Sequence, residues 1–435
     1  MAQILILYNA TQTYTQTALE HLEAFAQFSE HTYHFTHISE TLSCTVDLST
    51  YDGLALHYSV RLPSNQISPS WVNAIETFPG FKALFIQDEY EHTKRAWYWI
   101  KKLKLTTVFT CVPSLNIEKI YPPEHFGSVQ FVNVLTGYVP HSLEMLTPPP
   151  PPSEREILVG HRGRALPTRY GRLGQEKLEI GTMVKAYAKT HGHPVDIEWR
   201  EEKRIYGEKW YSFVASARAT LGTESGANVF DWNGDLSARI TAAQAAHPTL
   251  SDAQVLDHLG VDDQDGLMNQ ISPRVFEAIA LRTALVLFRG SYSGLLQPDR
   301  HYIALEKDGS NLTEVFEHLQ NGAALDAMTE RAYVDVITSG VASYKAFLAI
   351  VDAATPLPLG PTSAPQSPNV TARPLQGAIP IQSFADLVRA IISPQKRAEG
   401  QASSRLVPIL GYAGRLLPET ARHKLSPAIK RAFKT

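Results

Sequence analysis

Only two cysteines, Cys44 and Cys111, occur in 435 residues, and they form no CxxC pair. A disulfide framework and a cysteine zinc site are therefore not expected, and a reducing, cytoplasmic compartment is. No apolar run reaches about 18 residues, so no transmembrane helix is expected. The opening MAQILILYNA lacks a basic n-region and a cleavage pattern. It reads as a first buried strand and not as a signal peptide. No GxGxxG opens a strand–helix unit, which speaks against a nicotinamide dinucleotide, and a P-loop and a GxSxG elbow are also missing. His31, His34 and His37 crowd together without further ligands, and DDQDG (262–266) lacks calcium-loop spacing. No metal site and no resident cofactor are expected.

What is present alternates. Apolar runs such as QILILYN, YDGLALHYS and FKALFIQDEY are separated by helical stretches through residues 1–140. Short buried strands between helices mean βα units and a parallel sheet. Five prolines, Pro148 to Pro152, then impose an extended, stiff spacer. A second βα series starts at REILVGHR. The expected fold class is α/β, with two Rossmann-like parallel-sheet domains joined by a Pro-rich linker. The first domain covers 1–147, the linker 148–153, and the second domain 154–353, with a polar, Ala-rich insertion at about 235–270. Residues 354–435 read as a Pro-rich linker and a basic amphipathic tail. From Thr371 onward there are 11 Lys or Arg and 3 Asp or Glu, so a chain of net charge −3 has an acidic body and a tail of +8. Such a tail suits an anionic partner.

In open α/β sheets ligands bind beyond the carboxyl ends of the strands, so residues just after each strand matter most. After REILVG come Arg162, Arg164, Arg172 and Lys177 among several glycines. Basic side chains on a Gly-rich turn entering a helix suit a diphosphate, or they form a solvated basic loop. LGTESGANVFDWNG sets Glu224 among small residues, either a ligand loop or a plain turn. Gly290, Ser291 and Tyr292 form another flexible loop after a strand. In the first domain His57, Asp88 and Glu89 end strands, as candidate bases or structural groups. Glu277 lies off the apolar stripe of the segment SPRVFEAIALRTALVLF and could simply pair with Arg274 at i−3.

Together these places resemble the GT-B glycosyltransferases, most closely the retaining family-4-like branch found in bacteria. GRLGQEK is similar to that family's diphosphate clamp, which implies Arg172 and Lys177. HRGR resembles a related strand end, which implies Arg162 and Arg164, and both pairs stay open. FEAIALRTALVLF resembles the segment whose glutamate holds ribose hydroxyls, which maps to Glu277. GTESG resembles the loop that holds the donor sugar, which maps to Glu224. Two departures stand out. Glu224 and Glu277 lie 53 residues apart, where the family keeps them close, and the Ala-rich segment reads as the insertion. Arg282 stands where the family has a glycine; if that position is left-handed, a non-glycine residue costs about 1 kcal/mol.

The resemblance implies metal-independent transfer of a sugar from a nucleoside diphosphate donor, UDP or GDP, with retention. The acceptor is expected to be a glycan or lipid-linked molecule, as in polysaccharide biosynthesis, and no nucleic acid is expected. A nucleotide-sugar epimerase or hydrolase on the same fold, and a non-catalytic binding partner, are the alternatives. The tail's Leu, Ile and Phe beside Lys and Arg suit the anionic inner face of a membrane, or a tail that packs on the body. If the tail binds membrane, truncation near Asp352 abolishes sedimentation with anionic vesicles. Unchanged sedimentation removes the tail from that role.

Overall fold

The structure, a computed structural model, describes residues 1–357 apart from 14, 141, 142 and 144–147. The tail, with its proposed membrane contact, lies outside the described residues. No described helix is long and apolar enough to cross a membrane.

Six parallel strands form the first sheet: β1 (Gln3–Tyr8), β2 (Thr32–His37), β3 (Gly53–Leu56), β4 (Phe81–Ile86), β5 (Thr107–Thr110) and β6 (Gln130–Asn133), in the order β2-β1-β3-β4-β5-β6. Strands β3 and β4 are buried along their whole length. Helices cover both faces, which is why these strands are continuously apolar and do not alternate. The second sheet holds β7 (Ile157–Arg162), β8 (Val195–Glu198), β9 (Ala217–Gly222), β10 (Ala284–Phe288) and β11 (Ile303–Leu305), in the order β11-β10-β9-β7-β8 and again all parallel. Two facing Rossmann-like domains of this kind make the GT-B arrangement.

Arg155 fastens the proline linker to the second sheet. Its guanidinium is buried and donates to the carbonyls of Pro150, Ala217 and Leu281 and to the Thr283 hydroxyl. Burial pulls its pKa down to about 10, against the pull of the Asp326 carboxylate. The insertion folds as the helices Leu236–Ala246 and Asp252–His258 around a small cluster of Val229, Ile240, Val255 and Leu256.

The chain then returns. The segment assigned by sequence to the second domain ends in the helix Tyr344–Ala354, which packs on the first domain. Phe347 meets Phe25, Phe85 and His21 there. The Asp352 carboxylate accepts from Ser29 Oγ at 2.6 Å and from the Glu30 amide at 2.9 Å. The outgoing and returning segments run side by side, with the Val139 amide donating to the Ala342 carbonyl at 2.8 Å. Further ties join the lobes. The Asp231 amide donates to the Tyr90 carbonyl, Thr136 Oγ1 donates to the Ile271 carbonyl at 2.6 Å, and Phe230 and Met268 enter the first core.

Phe347 is fully buried, so Phe347→Ala is expected to destabilise the protein by about 3–5 kcal/mol. Urea unfolding checks this, and a loss below about 1 kcal/mol would mean that the returning helix is not part of the first core.

Candidate active site

Each strand order reverses once, between β1 and β3 and between β7 and β9. The loops beyond these two switch points face each other across a cavity of about 600 Å³, a size suited to a small-molecule ligand. Tyr58, Gln87 and Asp88 line it from the first domain. His161, Arg164, Lys177, Trp210 and Arg274 line it from the second.

Three cations dominate the second wall. Lys177 sits on the helix Gly171–His191, and its Nζ donates to the Glu224 carbonyl at 3.2 Å and to Ser225 Oγ at 3.0 Å. Burial, with help from Arg274 and Arg164, pulls its pKa down to about 8. Arg274 is the second residue of the helix Pro273–Ala280. Its side chain keeps exposed surface even though it lies deep in the cleft. Its guanidinium stacks over Trp210 at 4.7 Å and donates to the Arg162 carbonyl at 2.8 Å. Arg164 is exposed to the cavity. None of the three has an ion pair among the described residues.

The other two basic residues singled out in the sequence are engaged. Arg162 lines the cavity, but its guanidinium pairs with Asp196 at 2.8 Å and stacks on Phe213. Arg172 points outward, is absent from the cavity lining, and lies 3.5 Å from Glu179. Lys177 follows Arg172 by five positions, which turns it about 140° around the helix, so the two cannot share a face. The start of that helix is also occupied, because the Asp263 carboxylate accepts from the Arg172 amide at 2.6 Å. The anion at this helix N-terminus is thus one of the protein's own, and Lys177 follows about one and a half turns later.

Glu224 is buried behind the cavity wall. Its carboxylate accepts from the Tyr292 amide and from Asn269 Nδ2, each at 2.7 Å. Gly290, Ser291 and Tyr292 therefore back Glu224 and do not line the cavity. A Cβ at Gly290 would come within 2.7 Å of Glu224 Oε2. Glu277 stands one residue behind the cavity, and its Oε2 accepts from Trp210 Nε1 at 2.7 Å. Burial raises its pKa, against the Trp210 bond and Arg274. Arg282 does adopt the left-handed conformation, at φ 48°. An ion pair to Glu330 at 2.8 Å and stacking on Tyr333 at 3.7 Å hold it there.

In the first domain the three strand-end candidates separate. Asp88 is exposed to the cavity, held at φ 58°, and accepts from the Tyr90 hydroxyl at 2.6 Å. Glu89 points into the core, where one oxygen accepts from Thr110 Oγ1 and the Cys111 amide. Burial pushes its pKa up to about 7. His57 is fully buried, 2.8 Å from Ser59 Oγ and 3.0 Å from His21 Nδ1. Burial and the His21 ring hold its pKa well below the ordinary histidine value. Neither Glu89 nor His57 lines the cavity.

Arg274, His161 and Trp210 are wall residues that sequence reasoning passed over. A signal for Arg274 existed: it sits in the first turn after the Ser272-Pro273 start, where a helix begins at the mouth of a sheet. Glu91 adds a bridge between the lobes. It meets Arg61 of its own domain at 2.5 Å and Arg169 of the other at 2.9 Å.

At pH 8 Lys177 is about half unprotonated, whereas an ordinary lysine is almost wholly charged. An amine-reactive reagent at that pH is expected to label Lys177 ahead of exposed lysines. Mass spectrometry reads this, and labelling no faster than at Lys94 rejects it.

No family model matches the chain, and no curated protein sequence matches it. Solved structures with a similar outline include the following three. An alpha-glucosyltransferase in complex with UDP and a 13-mer DNA containing a HMU base is 10% identical over 80% of this chain and 99% of that one, with a TM-score of 0.49. T4 phage BGT in complex with its UDP-glucose substrate is 14% identical over 82% of this chain and 100% of that one, with a TM-score of 0.48. TarM is 12% identical over 68% of this chain and 53% of that one, with a TM-score of 0.39. At these scores they are likenesses of outline only.

Proposed function

We propose that the protein is a GT-B glycosyltransferase that moves a sugar from a nucleoside diphosphate sugar, with UDP or GDP, to an acceptor held by the first domain. The observation that carries this reading is the set of cations without ion pairs among the described residues, Lys177, Arg164 and Arg274, on one wall of the interdomain cavity. A departing diphosphate gains charge in the transition state, and preorganised cations in a water-poor cleft stabilise it. These three groups do so without a metal in this reading. Glu277, with one oxygen engaged by Trp210, offers the other to ribose hydroxyls. Glu224 fixes the loop that carries Ser225 and holds Lys177 in place. Closure of the lobes limits hydrolysis of the donor.

A second cavity of about 190 Å³ adjoins the first and shares Thr15, Tyr58, Gln87 and Asp88 with it. It is the place for the acceptor, a glycan or lipid-linked hydroxyl compound. Family resemblance implies retention at the anomeric carbon. Asp88 favours the other outcome, because a carboxylate facing the cavity on the acceptor side is a general base for in-line displacement with inversion.

Thermal-shift screening with UDP-, GDP-, ADP- and CMP-sugars is expected to return one stabilising class, and stabilisation by none rejects the proposal. Lys177→Met is expected to lower kcat/KM about 100-fold, and activity is expected to persist in EDTA. NMR of the product anomer decides the stereochemistry. Inversion together with a fall of about 100-fold or more in Asp88→Asn supports Asp88 as the base, and retention with an unchanged rate removes it.

A further inference from the structure

Thr15, Tyr58, Gln87 and Asp88 line both cavities, so they stand where donor and acceptor would meet. Three of them keep a polar atom that no described residue engages. Gln87 Nε2 donates to the Thr136 carbonyl at 3.2 Å, which leaves Oε1 unpaired. Asp88 Oδ1 takes the Tyr90 hydroxyl, which leaves Oδ2 unpaired. The Tyr58 hydroxyl has no hydrogen bond among the described residues. Gln87 Oε1 and the Tyr58 hydroxyl keep accessible surface, and Asp88 is exposed. All three atoms are therefore open to a molecule in the cleft.

The Tyr58 ring is held from one side. Its centroid lies 4.0 Å from that of His57, with 34° between the planes, so the imidazole covers one face. His21, on the helix Gln16–Phe28, meets it edge-on at 5.1 Å. The two imidazole centroids are 5.0 Å apart, so both stand on the same side of the phenol. The buried His21–His57 pair, bonded at 3.0 Å, thus backs the ring and leaves its other side to the cleft. Burial first, then the Cys111 thiol and the Asp88 and Glu20 carboxylates, hold the phenol well above its ordinary range, and the oxygen keeps its proton. The junction therefore offers one hydrogen-bond donor and two acceptors.

A molecule that pairs all three atoms must bring at least two hydroxyl hydrogens and one free lone pair. A lone hydroxyl pairs at most two of them and leaves a carboxylate or amide oxygen desolvated and unmatched, which is costly. We propose that Tyr58, with Asp88 and Gln87, selects the acceptor by a pair of adjacent hydroxyls on a sugar ring: Asp88 and Gln87 each accept from one hydroxyl, and Tyr58 donates to one of the same oxygens. The inference rests on the proposed sugar-transfer site and narrows its acceptor. The lone hydroxyl of a serine or of a fatty alcohol does not meet the requirement. The contact of Tyr58 is recognition alone, since its proton stays on the phenol.

Release of nucleoside diphosphate by the full chain, with UDP-glucose, UDP-N-acetylglucosamine and GDP-mannose as donors, tests this. The acceptors are the methyl pyranosides of glucose, galactose, mannose and N-acetylglucosamine, with n-butanol and N-acetylserine amide as lone-hydroxyl compounds. At least one pyranoside is expected to raise release about tenfold or more, and the lone-hydroxyl compounds to leave it within about twofold. This arm needs no variant. Tyr58→Phe keeps the ring and its backing. It is expected to lower kcat/KM for the active pyranoside about 10- to 100-fold, mainly through KM, while the donor still raises its melting temperature. Monodeoxy analogues of that pyranoside separate a contact from a structural role. For one of them the wild type is expected to lose as much as Tyr58→Phe does, and the variant to lose little more, because both changes remove the same bond. Losses that multiply for every analogue overturn the contact. Stimulation by a lone hydroxyl as strong as by any pyranoside overturns the selection, as does a bound donor with no response to any pyranoside, and both leave the donor site standing. Failure of all three donors to raise the melting temperature overturns the donor site and the inference with it.

Discussion

Like charges crowd one wall of the cavity, and much of the second domain is arranged to bear that crowding. Lys177, Arg274 and Arg164 act on one another unfavourably. None of them has an ion pair among the described residues, whereas Arg162, Arg169, Arg282 and Arg289 all have one. The protein does supply neutral support. Two oxygens of the Glu224–Ser225 loop hold the Lys177 amine, and an indole face holds Arg274. Such support fixes position while leaving the charge uncancelled, which is what a site for an anion requires.

The first domain contributes a different kind of wall. Its core runs continuously under the strand ends, and the His21–His57 pair and Glu89 belong to that core. Their chain neighbours Tyr58 and Asp88 line the cavity. Alternation along the chain makes this division: at each strand end one residue faces the core and its neighbour faces the cleft. Asp88 is held in a left-handed conformation to do so, and such outliers cluster at functional sites.

This alternation also explains how much the amino-acid pattern discloses. Continuous apolar runs mark the strands, and the five prolines mark the crossing, so the layered architecture follows from local composition. Residues after strands are legible as a group, and Lys177, Arg164 and Asp88 were found that way. Which of two adjacent polar residues faces the cleft depends on strand twist and packing, and so Asp88 and Glu89 could not be separated beforehand. The family resemblance pairs Arg172 with Lys177, but helical rotation sends Arg172 away. Arg274 passed as a partner for Glu277 because nothing local discloses that Trp210, 67 residues from Glu277, takes that carboxylate. The returning helix Tyr344–Ala354 is an ordinary amphipathic helix by pattern, and only the tertiary structure assigns it to the first core.

The paired crossing at Val139 and Ala342 has a mechanical meaning. Two segments that leave and re-enter the lobes separately would permit sliding as well as rotation. Bonded to each other, they make one double crossing between the lobes. The first lobe also lacks part of its interior until Val351 arrives. During synthesis the first lobe can therefore complete its interior only after the whole second lobe has emerged.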